Sequence, residues 1–267
     1  MSQGAPPPVV VDGRRVRGML VDLDGTLVNT VAPPMNRTAW LAAVTALRAP
    51  LAERTRMAPP EVAQLLQDTA TVFWADAERH RWGRLHPVLQ RERVVREALC
   101  TLGIHDPELV RALAAAYAAD KHRQFHLFAG ALPALARLCA LGLTLVLVTN
   151  GEGVSQREKI ERFDLARWFA AILIEGEQGV GKPDPEMYRR ALIAGHLDPD
   201  ATIMVGDNVE WEVWAPSRLG MRTVWVRSPH AGARLGLGPA PWRVVGAFAD
   251  VPGLLEGREP GCLPCAP

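Results

Sequence analysis

The sequence has 267 residues, enough for one large domain or a core domain with an insert, and its 48% hydrophobic content excludes global disorder. Lys and Arg (30) nearly cancel Asp and Glu (29), and a net charge of +1 argues against a general nucleic-acid-polymer binder. No apolar run approaches the length of a membrane span and the proline-rich start does not read as a secretory signal, so no membrane partner is expected and a cytoplasmic location is.

Residues 1–15 are expected to be loose, with Pro and Gly concentrated in residues 2–8. Val9-Val10-Val11, Asp12-Gly13 and the apolar residues from Val16 to Val21 suggest a hairpin leading into a first core strand. That strand feeds Met19-Leu20-Val21-Asp22-Leu23-Asp24-Gly25-Thr26-Leu27, where an apolar run meets two aspartates one residue apart and then a glycine. Strand alternation sends the Asp22 and Asp24 side chains to the same side. Between about Pro33 and Phe128 only helical periods are visible, enough for four or five helices. After Pro59-Pro60-Glu61, the residues Val62, Leu65, Leu66, Val72 and Phe73 are read as one face. Val95, Leu99 and Leu102 mark a second helix closed by Gly103, and Asp106-Pro107-Glu108 opens a third carrying Leu109, Leu113 and Tyr117.

From Gly130 onward strands and helices alternate. Strands are expected at 143–148, 171–174, 202–205, 223–226 and briefly at 244–245, and helices at 132–141, 155–163, 185–194, 210–219 and near the end. This alternation predicts an α/β core with a doubly wound parallel, Rossmann-like sheet and an inserted all-helical cap domain. The expected boundaries are 16–32 and 129–256 for the core, 33–128 for the cap, and 257–267 for a flexible tail.

Each core strand runs into a polar group, at the carboxyl end where open parallel sheets bind ligands. Asp22 and Asp24 side by side call for a cation or a shared proton, and Mg²⁺ is the simplest hard ion for oxygen ligands. Thr149-Asn150-Gly151 offers a hydroxyl, an amide and a free backbone to a phosphate oxygen, although the same residues also suit an ordinary helix cap. Lys182, in Gly181-Lys182-Pro183-Asp184-Pro185, sits in a loop stiffened by prolines, where a fixed ammonium neutralises a phosphoryl group. Gly206-Asp207-Asn208, followed by Glu210 and Glu212, adds a third strand-end carboxylate.

This ordered set resembles the haloacid dehalogenase superfamily, in its phosphatase branch. The resemblance implies that Asp22 attacks phosphorus and forms an aspartyl-phosphate, and that Asp24 is the general acid and base. It implies phosphoryl binding by Thr149 and Lys182, with Asn150 beside them. It implies Mg²⁺ ligation by the Asp22 side chain, the Asp24 backbone carbonyl and the Asp207 side chain. Dehalogenases proper usually carry tyrosine where this chain has Asp24, which favours phosphate chemistry. Many relatives have aspartate where this chain has Glu212, so Glu212 is expected to touch a metal-bound water or Lys182, with Asn208 also in the surround. The insert resembles the superfamily's helical cap, and residues 149–161 look like those of N-acylneuraminate-9-phosphatases and pyrimidine nucleotidases. Gln156 and Arg157 are read as the solvated face of a helix.

Other features carry less. Arg79, Arg81, Arg84, Arg91, Arg93 and Arg96 read as a solvated basic face, and Trp74 and Trp82 as packing. His80, His86, His122 and His126 lack zinc-ligand spacing. Cys100 and Cys139 are expected to be buried free thiols, and Cys262 and Cys265 form a lone Cys-x-x-Cys without a second pair. The expectation is a Mg²⁺-dependent phosphatase acting on a small phosphorylated molecule, a sugar phosphate or a nucleoside monophosphate. A phosphomutase and a non-catalytic binding protein of the same fold are the alternatives, and the oligomeric state, monomer or homodimer, stays open.

Overall fold

The computed structural model describes residues 6–30, 35–227 and 238–257. The Cys262 and Cys265 pair and most of the 257–267 segment lie outside these residues. The chain divides into two compact units, residues 1–29 with 127–267, and residues 30–126.

The first unit begins with an antiparallel pair, β1 (Val9–Val11) and β2 (Arg14–Val16), so residues 9–15 are ordered and not part of a loose leader. The core strand β3 (Gly18–Val21) follows as an element of its own. Two-residue strands β4 (Val28–Asn29) and β5 (His126–Leu127) mark where the chain leaves this unit and returns, and both are too short to show alternation in sequence. The remaining strands are β6 (Thr144–Thr149), β7 (Ala171–Ile174), β8 (Thr202–Gly206), β9 (Arg222–Val226) and β10 (Arg243–Val245). Six of them form one parallel sheet in the order β10-β9-β8-β3-β6-β7.

The sheet is covered on both faces, which is why its strands are continuous apolar runs. Leu20, Val146, Val148 and Met204 on one face pack with Met187, Tyr188 and Ala191 of the helix 185–194. On the central strand, Met19 lies between Leu145 and Ile203 in register. The chain crosses from β7 back to β8 on the other side of β3. The carboxyl end of β3 is therefore at the point where the strand order reverses, the place where such sheets bind ligands. The segment expected to be a regular helix at 210–219 is a widened, π-helical stretch, Val209–Trp214, followed by a single α turn, Ala215–Ser217.

The second unit is built of helices: α1 (Met35–Ala46), α2 (Arg48–Ala52), α3 (Pro59–Ala75), α4 (Ala77–Leu85), α5 (Pro87–Cys100) and α6 (Pro107–Gln124). That is six among the described residues, where four or five were expected. The extra ones are the short α2 and the Arg- and His-rich α4, neither of which shows a clear apolar stripe. The start signals behave as read. Glu61 accepts from the Ala58 amide, and Asp106 Oδ1 accepts from the amides of Glu108 and Leu109. The Leu109 bond, foremost, lowers the Asp106 pKa. Trp40, Leu66, Phe73, Val95, Leu99 and Leu113 form the core of this unit, and Trp40 stacks on Tyr117 with centroids 3.7 Å apart.

Three burial expectations fail here. Val72 is 68% exposed, because each residue turns the helix by roughly 100° and only Phe73 joins the stripe of Val62, Leu66 and Ala70. Val72→Ser is accordingly expected to change the unfolding free energy by no more than about 0.5 kcal/mol, measurable by urea denaturation. Cys100 and Cys139 are exposed free thiols, both close to helix ends and off the buried faces. The basic face is only partly solvated. Arg79 and Arg93 both pair with Glu97 and lie over the Phe73 ring, and burial lowers the Arg91 pKa. No helix among the described residues is long and apolar enough to cross a membrane.

Candidate active site

Just past Val21 the Asp22 amide still bonds the carbonyl of Val205, 3.0 Å away, so Asp22 is fixed as firmly as the strand. Its side chain is buried. The chain then turns at once: Leu27 and Val28 donate back to the carbonyl of Leu23, and Gly25 donates to Val28. Gly25 has φ +85°, and a Cβ there would collide with the Asp207 carboxylate. Glycine is thus required at this position both by conformation and by the close approach of Asp207.

Lys182 is completely buried, with Nζ 2.7 Å from Asp22 Oδ1 and 2.7 Å from Glu212 Oε1. Burial opposes its charge, but the Asp22 and Glu212 carboxylates outweigh that and raise its pKa. Asn150 holds the lysine in place. Its Nδ2 donates to the Lys182 carbonyl at 2.6 Å, and its Oδ1 accepts from the Lys182 amide at 2.8 Å. The Asn150 amide, expected to face phosphate, is committed to the backbone of the lysine loop instead. Thr149 is buried as the last residue of β6. Below this loop the buried Glu175 accepts from the Gly151 amide at 3.0 Å.

After β8, Asp207 follows Gly206, whose own Cβ would collide with the Glu212 side chain. Glu212 lies in the widened turn, and its Oε2 accepts from the Asn208 amide at 2.7 Å while Oε1 meets Lys182. Asn208 Oδ1 accepts from the Trp211 amide and caps the turn. Burial raises the Asp22 pKa, with Lys182 opposing. Burial, then the charges of Asp22 and Glu212, push Asp207 well above the usual carboxylate range. Burial likewise pushes Glu212 up to about 7.

Three clustered carboxylates thus face one ammonium. Asp22 Oδ2 is buried without a hydrogen-bond partner among the described residues, and a buried acceptor left in that state is costly. A hard divalent cation meets both conditions, since it supplies positive charge and takes oxygen donors. The hard oxygen donors of Asp22 and Asp207 suit such a cation.

The sequence matches the family model described as "haloacid dehalogenase-like hydrolase" over residues 16–220. The chain belongs to that family. It is 44% identical over 136 residues to a phosphoserine phosphatase of Thermus thermophilus, covering 51% of this chain and 54% of that protein. It is 28% identical over 215 residues to a glyceraldehyde 3-phosphate phosphatase of Methanopyrus kandleri, covering 79% and 84%. The chain thus matches only about half the length of the Thermus protein, and more of the Methanopyrus one. A putative HAD-hydrolase of Bacillus subtilis, solved bound to magnesium, superposes with a TM-score of 0.67 at 18% identity, covering 91% of this chain and 99% of that one. At that identity the likeness shows the fold.

Two residues of this haloacid dehalogenase-like hydrolase that touch Asp24 escaped the sequence reading. Gln156, read as solvated, is 4% exposed and donates to Asp24 Oδ2 at 3.0 Å. Lys159, three residues on, reaches both Asp24 oxygens at 2.6 and 2.5 Å. Their spacing on a helix that springs from Asn150 and Gly151 was the available clue. Arg157 does face solvent in part, paired with Glu177. Asn150→Ala is expected to cost about 1–3 kcal/mol, seen in urea unfolding, because it strands the amide and carbonyl of the buried Lys182.

Proposed function

We propose that this chain is a Mg²⁺-dependent phosphatase that hydrolyses a small phosphomonoester, a sugar phosphate or a nucleoside monophosphate, through an aspartyl-phosphate. The observation that carries the reading is the pairing of Asp22 with the buried Lys182 beside an Asp22 Oδ2 that has no hydrogen-bond partner among the described residues. Lys182 anchors Oδ1, and among the described residues no partner holds Oδ2 from a cation or the phosphoryl group. The phosphatase names of the Thermus and Methanopyrus relatives support the same reading.

In this mechanism an Asp22 oxygen bonds to phosphorus as the bond from phosphorus to the leaving oxygen breaks. Asp24 gives its proton to that leaving oxygen. A water then attacks phosphorus and passes a proton to Asp24, the phosphorus bond to Asp22 breaks, and inorganic phosphate leaves. Lys182 holds Asp22 in line and offsets negative charge on the phosphoryl oxygens, with Thr149 as a further donor. Mg²⁺ at Asp22, Asp207 and the Asp24 carbonyl would supply the remaining positive charge that lets one anion approach another.

The test is phosphate release from a panel of sugar phosphates and nucleoside monophosphates, with Mg²⁺ and with a chelator. Release that needs Mg²⁺ supports the reading. Isomerisation of a sugar phosphate without release would replace it with a mutase, and absence of both turnover and Mg²⁺ binding would point to a binding protein. Metal-independent halide release from a haloacid would make it a dehalogenase.

A further inference from the structure

Asp24 meets one helix at two points. The helix Gly153–Arg162 places Gln156 and Lys159 three residues apart, on the same face, and both side chains are buried. Lysine is almost never buried unless paired, and here the partner is 135 residues away in sequence. The Lys159 side chain is 9% exposed against 28% for Asp24, so the pair lies at the edge of the buried region with its carboxylate outward. Gln156 Nε2 bridges Asp24 Oδ2 and the Asn150 carbonyl, which ties the Asp24 carboxylate to the end of β6. Gln156 Oε1 stays buried without a partner among the described residues, so the same amide keeps an acceptor to offer.

We propose that Lys159 and Gln156 are positioning residues, which fix the Asp24 carboxylate for its two proton transfers. The proposal rests on the phosphatase reading above. A carboxylate with neither oxygen held spreads over several rotamers, and a proton donor displaced by an ångström loses much of its effect. Here Lys159 reaches both oxygens, while Gln156 bonds one of them. When one oxygen turns to the leaving group, the other still has Lys159. As Asp24 passes its proton to the leaving oxygen it becomes a carboxylate, which the ammonium holds in place until water returns a proton to it. Lys159 itself neither gains nor loses a proton and acts only through Asp24.

The experiment uses the full chain with Mg²⁺ and two substrates of different leaving group. p-Nitrophenolate departs from phosphorus without a proton, whereas an alkyl oxygen such as that of glycerol phosphate needs one. With p-nitrophenyl phosphate, therefore, the first step runs without Asp24 and only the second depends on it. For K159M we expect a burst of about one equivalent of p-nitrophenol at the wild-type rate, and then a steady state slower by ~10²-fold or more. Glycerol phosphate should show no burst, a kcat lower by a similar factor and a KM close to that of the wild type. K159R, which restores a cation able to span both oxygens, should recover part of the loss, and Q156L should show the same pattern more weakly. A merely structural lysine would slow both p-nitrophenyl phosphate phases together, and that result overturns the proposal, as would unchanged glycerol phosphate turnover. Should K159M fail to fold by circular dichroism, Q156L and K159R decide by the same split between phases. A wild-type chain that releases no phosphate from either substrate overturns the phosphatase reading, and the proposal with it.

Discussion

Asp22→Asn is expected to lower phosphate release by at least ~10³-fold while leaving the chain as stable as the wild type or more so. The first part follows from chemistry, since an amide oxygen does not attack phosphorus to give an acyl-phosphate. The second follows from the electrostatics of the site. Burial already raises the Asp22 pKa, and Asp22 in turn raises that of Asp207, so the native carboxylate is held at a cost that Lys182 mainly offsets. Asparagine keeps an oxygen that can accept from Lys182 and removes one negative charge from the cluster. Sites that hold charge for chemistry commonly trade stability for activity. Activity and a thermal melt on the same preparation check both halves. An inactive variant that also melts well below the wild type would mean that Asp22 is mainly structural.

How far the sequence revealed this arrangement depends on whether a residue acts through its own position or through a partner far along the chain. Lys182 lies in a loop eight residues after the end of β7, but Asp22 and Asp207 are strand-end residues, and the apolar runs before them locate the strand ends within a residue or two. Their convergence then follows from strand order alone. Glu212 was expected to touch Lys182 or a bound water, and it does touch Lys182. Asn150 and Asn208 have the right residue type for phosphate or water, but both ends of the Asn150 amide and the Asn208 amide oxygen are taken by backbone groups that only the folded loops bring near. Gln156 and Lys159 were illegible for the opposite reason. Polar residues on a helix after Thr149-Asn150-Gly151 look like a solvated face until the loop after Asp22 supplies a half-buried carboxylate to meet them. The widened turn at 209–214 also leaves no mark on periodicity, because it is short and apolar residues interrupt it at Val209 and Val213.

Lys182→Met is expected to destabilise the chain by about 3–5 kcal/mol at pH 8, and the deficit should shrink as the pH falls. Methionine fills similar volume but leaves Asp22 and Glu212 facing each other and Asp207 without the one ammonium among them. The sign of the pH effect follows from linkage. Burial raises the folded-state pKa of all three carboxyls, Glu212 to about 7, and loss of Lys182 raises them further. Between those values and the unfolded carboxylate values near 4, the folded chain binds more protons than the unfolded one, so stability falls as pH rises. Below about pH 4 the three groups are neutral in both states and the cluster no longer repels itself. Urea unfolding of wild type and variant, in chelator and at pH 8 and pH 5, measures the gap directly. A gap that is constant or wider at pH 5 would mean that the three carboxyls are not the source of the loss. Phosphate release by the same variant should fall at both pH values, since the lysine that aligns Asp22 is gone whatever the charge of its neighbours.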